Sequence, residues 1–167
     1  MRLIDHTQIV SGFVPVNTQS GANVGDVVSL KNYNHLTVIL FKAAGTANDD
    51  PVLTFEQATD IAFGTSKNLA TITEYWAKQG TLTAVGAFTR VTQSASQTAT
   101  LDGTSAESQG IYVFEIDGSD LDVDGGYDCV RATVADTGSA GTQLGCMLYI
   151  LSEPRYAAAT LPSAIID

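Results

Sequence analysis

The densest set of metal-capable side chains in the sequence is Asp120-Leu121-Asp122-Val123-Asp124-Gly125. Its letters match the opening D-x-D-x-D-G of a calcium loop, in which alternating oxygen ligands surround the ion and glycine permits the sharp bend. Such a loop ends on a bidentate Glu, but this chain has Arg131 at that position. The flanks also read as strands, where a calcium hand has helices. An extended reading accounts for the same residues, with Leu121 and Val123 inward and Asp120, Asp122 and Asp124 facing water. The main expectation is a solvated acidic turn, with calcium on Asp120, Asp122 and Asp124 the minority one. No catalytic residue, cofactor or other metal is expected.

Other reactive side chains are sparse. His6 and His35 are the only histidines, and Cys129 and Cys146 the only cysteines. His35 could act as base to either thiol. Neither cysteine lies in a helix N-terminal or glycine-elbow context that would lower its pKa, so a polar role at a strand edge is the simpler reading. Both thiols lie in strand-like runs and read as small, reduced apolar residues, with a disulfide open only if their strands are neighbours. Two Cys and two His are too few and too scattered for a zinc signature. The carboxylate pairs Asp49 with Asp50 and Glu56 with Asp60 could in principle cleave glycosides, although Asp49-Asp50-Pro51 reads more simply as a turn. Tyr75 and Trp76 are strand neighbours pointing to opposite faces. One is expected in the core, and the other is free to stack on a sugar or a subunit. The sequence has no phosphate-cradling glycine loop and no G-x-S-x-G.

The elements that would position these residues are strands. Leu36–Phe41 (LTVILF) reads as a strand buried on both faces. Val52–Ala58 places Leu53 and Phe55 opposite Thr54 and Glu56. Ile72–Lys78 places Ile72, Glu74 and Trp76 opposite Thr73, Tyr75 and Ala77. Further strands are expected at Gly12–Val16, Asp26–Leu30, Phe88–Thr92, Thr98–Leu101, Ile111–Ile116, Tyr127–Ala135 and Leu144–Leu151. Turn-forming Gly, Asn, Asp and Ser separate them, at 48–51, 102–103, 117–118, 125–126 and 138–141. Strands at this spacing predict an all-β fold: one antiparallel β-sandwich, jelly-roll-like, with at most short helical turns at Phe55–Ala62 and Ala157–Ala159. The predicted organisation is an N-terminal arm over 1–17, a sandwich over 18–156 and a tail over 157–167.

At 167 residues and 44% apolar composition the chain is long enough to bury a core. Eighteen acidic against eight basic residues give a net charge of -10. That argues against nucleic-acid partners, whose phosphates are held by Lys and Arg, and against anionic membranes. The first residues, MRLIDHTQIV, carry Asp5 and lack a long apolar core, so they do not read as a secretory signal. Folding in the cytoplasm is expected. Across Gln79–Gly110 only Arg90, Asp102 and Glu107 are charged, a depletion that suits a contact surface as well as a solvated hairpin.

LDVDGGYDCVRATVAD, QLGCMLYILSEPRYA and KNYNHLTVILFKAAGTANDDPVLTFEQATD resemble small virion proteins of tailed double-stranded DNA bacteriophages, of the head decoration or cement type. The resemblance covers Leu30–Lys78 and Ile111–Ala157. It implies a β-sandwich, often a jelly-roll, that binds the major capsid protein on the outer capsid surface and associates with itself as a trimer or dimer. It implies no enzymatic activity, and no functional residue transfers with it. Candidate contact regions are Met1–Asn17, Thr81–Leu101 and Pro154–Asp167. The alternatives are another virion part, such as a tail or head–tail connector subunit, and a carbohydrate-binding adhesion module using Tyr75 or Trp76.

Overall fold

A computed structural model describes residues 2–47, 50–83, 85–101, 108–136, 138, 141–156 and 160–165. The described residues form two antiparallel sheets packed face to face. The larger sheet contains β1 (Gln8–Asn17), β4 (Tyr33–Lys42), β7 (Ile72–Gly80), β8 (Thr89–Ser96), β10 (Gln109–Asp117) and β12 (Leu144–Pro154), in the order β1-β12-β4-β10-β7-β8. The smaller sheet has the order β2-β11-β5-β6, from β2 (Asn23–Val24), β11 (Cys129–Val134), β5 (Val52–Ala58) and β6 (Ser66–Asn68). β3 (Val28–Ser29) also pairs with β11, and β9 (Thr98–Thr100) with β5. Strands 1-12-4-10 facing 2-11-5-6 give the double Greek key of a jelly-roll, with β7 and β8 added as a hairpin beyond β10.

Period-2 alternation fixes the core. Along β4, Leu36, Val38 and Leu40 are buried, as are Tyr112, Phe114 and Ile116 on β10 and Met147, Tyr149 and Leu151 on β12. From the smaller sheet come Leu53 and Phe55 on β5 and Val130, Ala132 and Val134 on β11. Phe114 joins the two layers: its ring lies 5.0 Å from Phe55 and 4.9 Å from Tyr75, centroid to centroid. Tyr149 makes a second, polar link. Its hydroxyl accepts the Ala132 N–H at 3.0 Å across the core, and burial pushes its pKa well above the ordinary phenol value. Gly25 lies against the same link, its N–H donating to the Ala132 carbonyl at 3.0 Å.

Three local expectations are corrected. Leu36–Phe41 is buried on one face only, since Thr37 and Ile39 are half-buried and Phe41 is exposed. No third layer covers the outer side of the larger sheet among the described residues. The alternation on β7 slips at an irregularity in the β7–β8 ladder between Ile72 and Glu74. Ile72 is thereby buried together with Tyr75 and Ala77, while Trp76 stays outside. The helical turn expected at Phe55–Ala62 is strand to Ala58, then a bend ending at Phe63 with φ 61°. Pairing on both edges of β5, with Leu53 and Phe55 facing the core, outweighs the helix-compatible letters. The helical turn at Ala157–Ala159 lies outside the described residues.

Residues expected as an arm and a tail are built into the sandwich. β1 is an edge strand paired with β12 from Gln8↔Leu151 to Asn17↔Leu144, with two register shifts. In the tail, Ala164 is buried and its carbonyl accepts the Ser29 N–H at 2.8 Å. The Pro162 carbonyl accepts the Tyr33 hydroxyl at 2.5 Å.

A Cβ at Gly25 would lie 2.5 Å from both the Ala132 carbonyl oxygen and the Tyr149 hydroxyl, and 2.6 Å from Met147 Cε. Gly25→Ala is therefore expected to destabilise the fold by about 1–3 kcal/mol in urea unfolding, the usual range for overpacking. Gly64→Ala, with open space around it, is the control and should leave the midpoint near wild type. Equal midpoints for the two variants would refute the inter-sheet packing at Gly25.

Candidate functional site

The outer faces of the two sheets differ in chemistry. On the smaller sheet Arg131 of β11 stands opposite Glu56 of β5 and pairs with it at 2.7 Å. The Arg131 guanidinium also lies 3.7 Å from the Phe63 ring centroid. Thr54 and Thr133 flank this pair, so the face is polar. On the larger sheet, ladder register aligns Leu148, Ile39, Val113 and Trp76 in one row across β12, β4, β10 and β7. The adjoining row is Cys146, Phe41, Ile111 and Lys78. Phe41 is 49% exposed, Leu148 40% and Trp76 39%. Beside Phe41 and Cys146 the surface dips into a groove of about 350 Å³ that also touches Pro15, Leu82 and Leu144. Lys42, on the inner side of β4, is buried, and its Nζ donates to the Ser108 carbonyl at 2.9 Å.

A polar cluster closes one end of this apolar face. His35 pairs across the ladder with Asp117, and Thr37 with Glu115. The His35 ring bonds Asp117 Oδ1 through Nδ1 at 2.7 Å and Glu115 Oε2 through Nε2 at 2.6 Å. The Thr37 hydroxyl donates to the same Glu115 oxygen at 2.7 Å. Both ring nitrogens face carboxylate oxygens, an arrangement that favours the protonated, double-donor ring. Partial burial by itself lowers the His35 pKa, but the hydrogen bonds and charges of Asp117 and Glu115 outweigh it, so the pKa is raised. Sequence alone does not point to Glu115 or Asp117, because the ladder register that brings them to His35 joins residues about 80 positions apart.

No thiol lies near this ring. Cys129 is on the smaller sheet, where its Sγ donates to Asp128 Oδ1 at 3.2 Å. Cys146 pairs with Phe41, six residues along β4 from His35, a separation of about 20 Å at strand rise. The two cysteines lie in different sheets and are not joined in a disulfide. The structure therefore assembles neither a His–Cys pair nor a disulfide from them.

The acidic turn is two short 3-10 turns, Gly118–Asp120 and Val123–Gly125. Asp120 Oδ2 accepts the Asp117 N–H at 2.9 Å. Asp122 Oδ1 accepts the Gly125 N–H at 3.1 Å, while its other oxygen takes the Lys67 ammonium. The Lys67 hydrogen bond, with help from the Gly125 N–H, holds the Asp122 carboxyl below its ordinary pKa. The side chains of Asp120 and Asp122 are thus engaged by protein donors, and among the described residues no group of three His, Cys, Asp or Glu is placed to hold a metal ion. Leu121 is buried as expected, but Val123 is 61% exposed, because the 3-10 turn rotates it out of the extended alternation. Of the carboxylate pairs, Glu56 is taken by Arg131, and Asp49 lies outside the described residues. Tyr75 is the core member of its pair, with its hydroxyl donating to the Thr100 carbonyl at 3.4 Å, and Trp76 is the exposed one.

No protein-family model and no curated protein matches the chain. Among solved structures it is similar to the SPBc2 prophage-derived protein YomS, at 12% identity over 87% of this chain and 91% of that one, with a TM-score of 0.41. It is also similar to a family two carbohydrate esterase from Cellvibrio japonicus, at 8% identity over 94% of this chain and 36% of that one, TM-score 0.22. A third likeness is to the VP2 subviral particle of infectious bursal disease virus, at 10% identity over 96% of this chain and 45% of that one, TM-score 0.26. No residue role carries across at these identities.

Because the folded His35 pKa is raised, the cluster's contribution to stability is full below the unfolded value of about 6.5 and is lost as pH rises through the folded pKa. Proton NMR titration should place the His35 midpoint above that of a random-coil histidine. His35→Gln should lose stability relative to wild type at mildly acid pH, with the gap narrowing in alkali. A His35 midpoint at or below the random-coil value would contradict the double-carboxylate clamp.

Proposed function

We propose that the chain is a structural protein of a phage virion, binding the major capsid protein on the outer capsid surface as a decoration or cement protein. The observation that carries this reading concerns the three contact regions expected from the sequence. The tail is engaged in the chain's own sandwich. The other two regions supply the two edge strands of the larger sheet: β1, paired with β12 and without a charged residue, and β8, paired with β7 and charged only at Arg90. β8 is mostly exposed, and Val85 and Phe88 stand out to solvent just before it. An edge strand has a row of backbone donors and acceptors ready to pair with another chain. Such edges are normally guarded by charge, and β8 carries a single arginine.

The resemblance to phage decoration proteins and the jelly-roll topology support the same reading, and the net charge of -10 suits an outward surface better than a DNA-facing one. The mechanism is mechanical. Contacts across capsomer seams each bury on the order of 1,000 Å² when specific, and repetition over a lattice multiplies modest affinities through effective concentration.

A second reading, as a carbohydrate-binding module, is favoured by one observation. Trp76 borders a cleft of about 250 Å³ shared with Glu74, Glu115, Asp117 and Asp120, an aromatic face beside hydrogen-bonding groups. Glycan-array binding that disappears in Trp76→Ala would replace the capsid reading.

The double variant Val85→Asp, Phe88→Asp is expected to keep the wild-type melting temperature, since both side chains are exposed. It should weaken co-sedimentation with purified capsids by about tenfold or more, roughly 1.4 kcal/mol. Undiminished co-sedimentation would move the contact away from this edge, and absence of the chain from mass spectra of purified virions would end the capsid reading.

A further inference from the structure

The larger sheet has an outer face that no other layer of the described residues covers. Antiparallel sheets that face water are ordinarily polar on that side. The smaller sheet obeys this, with its Glu56–Arg131 pair between threonines. The larger sheet does not, and its central row is Leu148, Ile39, Val113 and Trp76. A contiguous apolar patch of this kind marks an interaction surface. Trp76, half-exposed within it, is the residue type most enriched among binding hot spots.

We infer that this face is a self-association surface, covered by the same face of a second copy of the chain. Two features select that occupant. The first is area. Six strands about 4.8 Å apart and about eight residues long present a rectangle of roughly 650 Å², near the ~800 Å² per partner of a specific interface. Two such faces stack as sheets do, about 10 Å apart. The second is the placement of charge along the strands. Glu115, Asp117 and His35 lie at one end of the face, and Lys78 lies in the row beyond Trp76 at the other. A two-fold axis lying between the faces and running across the strands along the Leu148–Trp76 row brings the acidic end of each copy over the Lys78 end of the other. The face is self-complementary under that rotation, as an isologous interface requires. This inference goes beyond the capsid reading and does not rest on it.

The test is sedimentation of the full chain over about 1–100 µM, a range that brackets micromolar association, with fluorescence read in parallel. Trp76 is the chain's only tryptophan, so its emission reports the interface directly. The wild type should sediment as a dimer at high concentration, and its emission should move to longer wavelength on dilution as the mass halves. Leu148→Asp and Phe41→Asp, both at exposed positions, should each weaken the dimer by about a hundredfold or more. Thr54→Asp on the polar sheet should leave it intact. A monomer throughout the range overturns the inference, as does a dimer indifferent to both face substitutions. The wild-type emission change needs no variant and decides the matter if either substitution fails to fold. A monomer that still binds capsids through the β8 edge would overturn this inference and leave the capsid reading standing.

Discussion

Tyr149 and Ala132 join the two sheets by a hydrogen bond through the middle of the core. A buried backbone N–H left without a partner would cost about 1–3 kcal/mol, so this contact sets how far apart the layers sit and how β12 is registered over β11. Gly25 tightens the constraint, because backbone and phenol approach it more closely than any side chain would permit. With Tyr149 fixed inward, strand alternation puts Met147 and Leu151 inward too, and Cys146, Leu148 and Ile150 outward. A slip of one residue would exchange the two sets. The apolar outer face thus follows from the same register that builds the core.

That face is a consequence of composition as well as register. β12 and β4 carry apolar residues at nearly every position between Cys146 and Ile150 and between Val38 and Phe41. The core accepts only alternate ones, and the remainder must go outside. On β5 and β11 the outward positions are instead Thr54, Glu56, Arg131 and Thr133. The chain therefore separates its chemistry by layer, with a polar outer face on the smaller sheet and an apolar, poorly hydrated one on the larger. The His35–Glu115–Asp117 cluster ends the apolar face abruptly. It converts the last two rows on β4 and β10 into charged hydrogen-bonded pairs, so the water-avoiding area has a defined limit.

Much of the fold is legible in the sequence because its signals are local. The β-branched runs and their Gly and Asp punctuation give the strands and the sandwich, and the Tyr75–Trp76 pair resolves into one core and one exposed ring as alternation requires. What escapes a reading of the letters depends on distant partners. LTVILF looks buried on both faces because nothing in those six residues says that the described residues form no third layer over it. FEQATDIA looks helical until β11, β6 and β9 claim the backbone of β5. Asp120, Asp122 and Asp124 look like ligands until Lys67 and the backbone N–H groups of Asp117 and Gly125 take the carboxylates of Asp120 and Asp122. The arm and tail look detached because their partners, β12, Ser29 and Tyr33, lie far away in sequence.

The two surfaces assigned to binding are compatible in one geometry. Strand edges and sheet faces point at right angles, so covering the face of the larger sheet leaves the β8 edge open. A two-fold axis running across the strands keeps each strand on its own side of the dimer. The two β8 edges then lie side by side, about 10 Å apart at sheet-packing distance, and look outward in the same direction. Under the proposed function, a dimer built this way would meet a capsid with two charge-poor edges at once, and the second contact would form at the high effective concentration set by the first. Face and edge would then act in sequence: burial of the apolar rows would fix the dimer, and the dimer would make a weak edge contact bivalent.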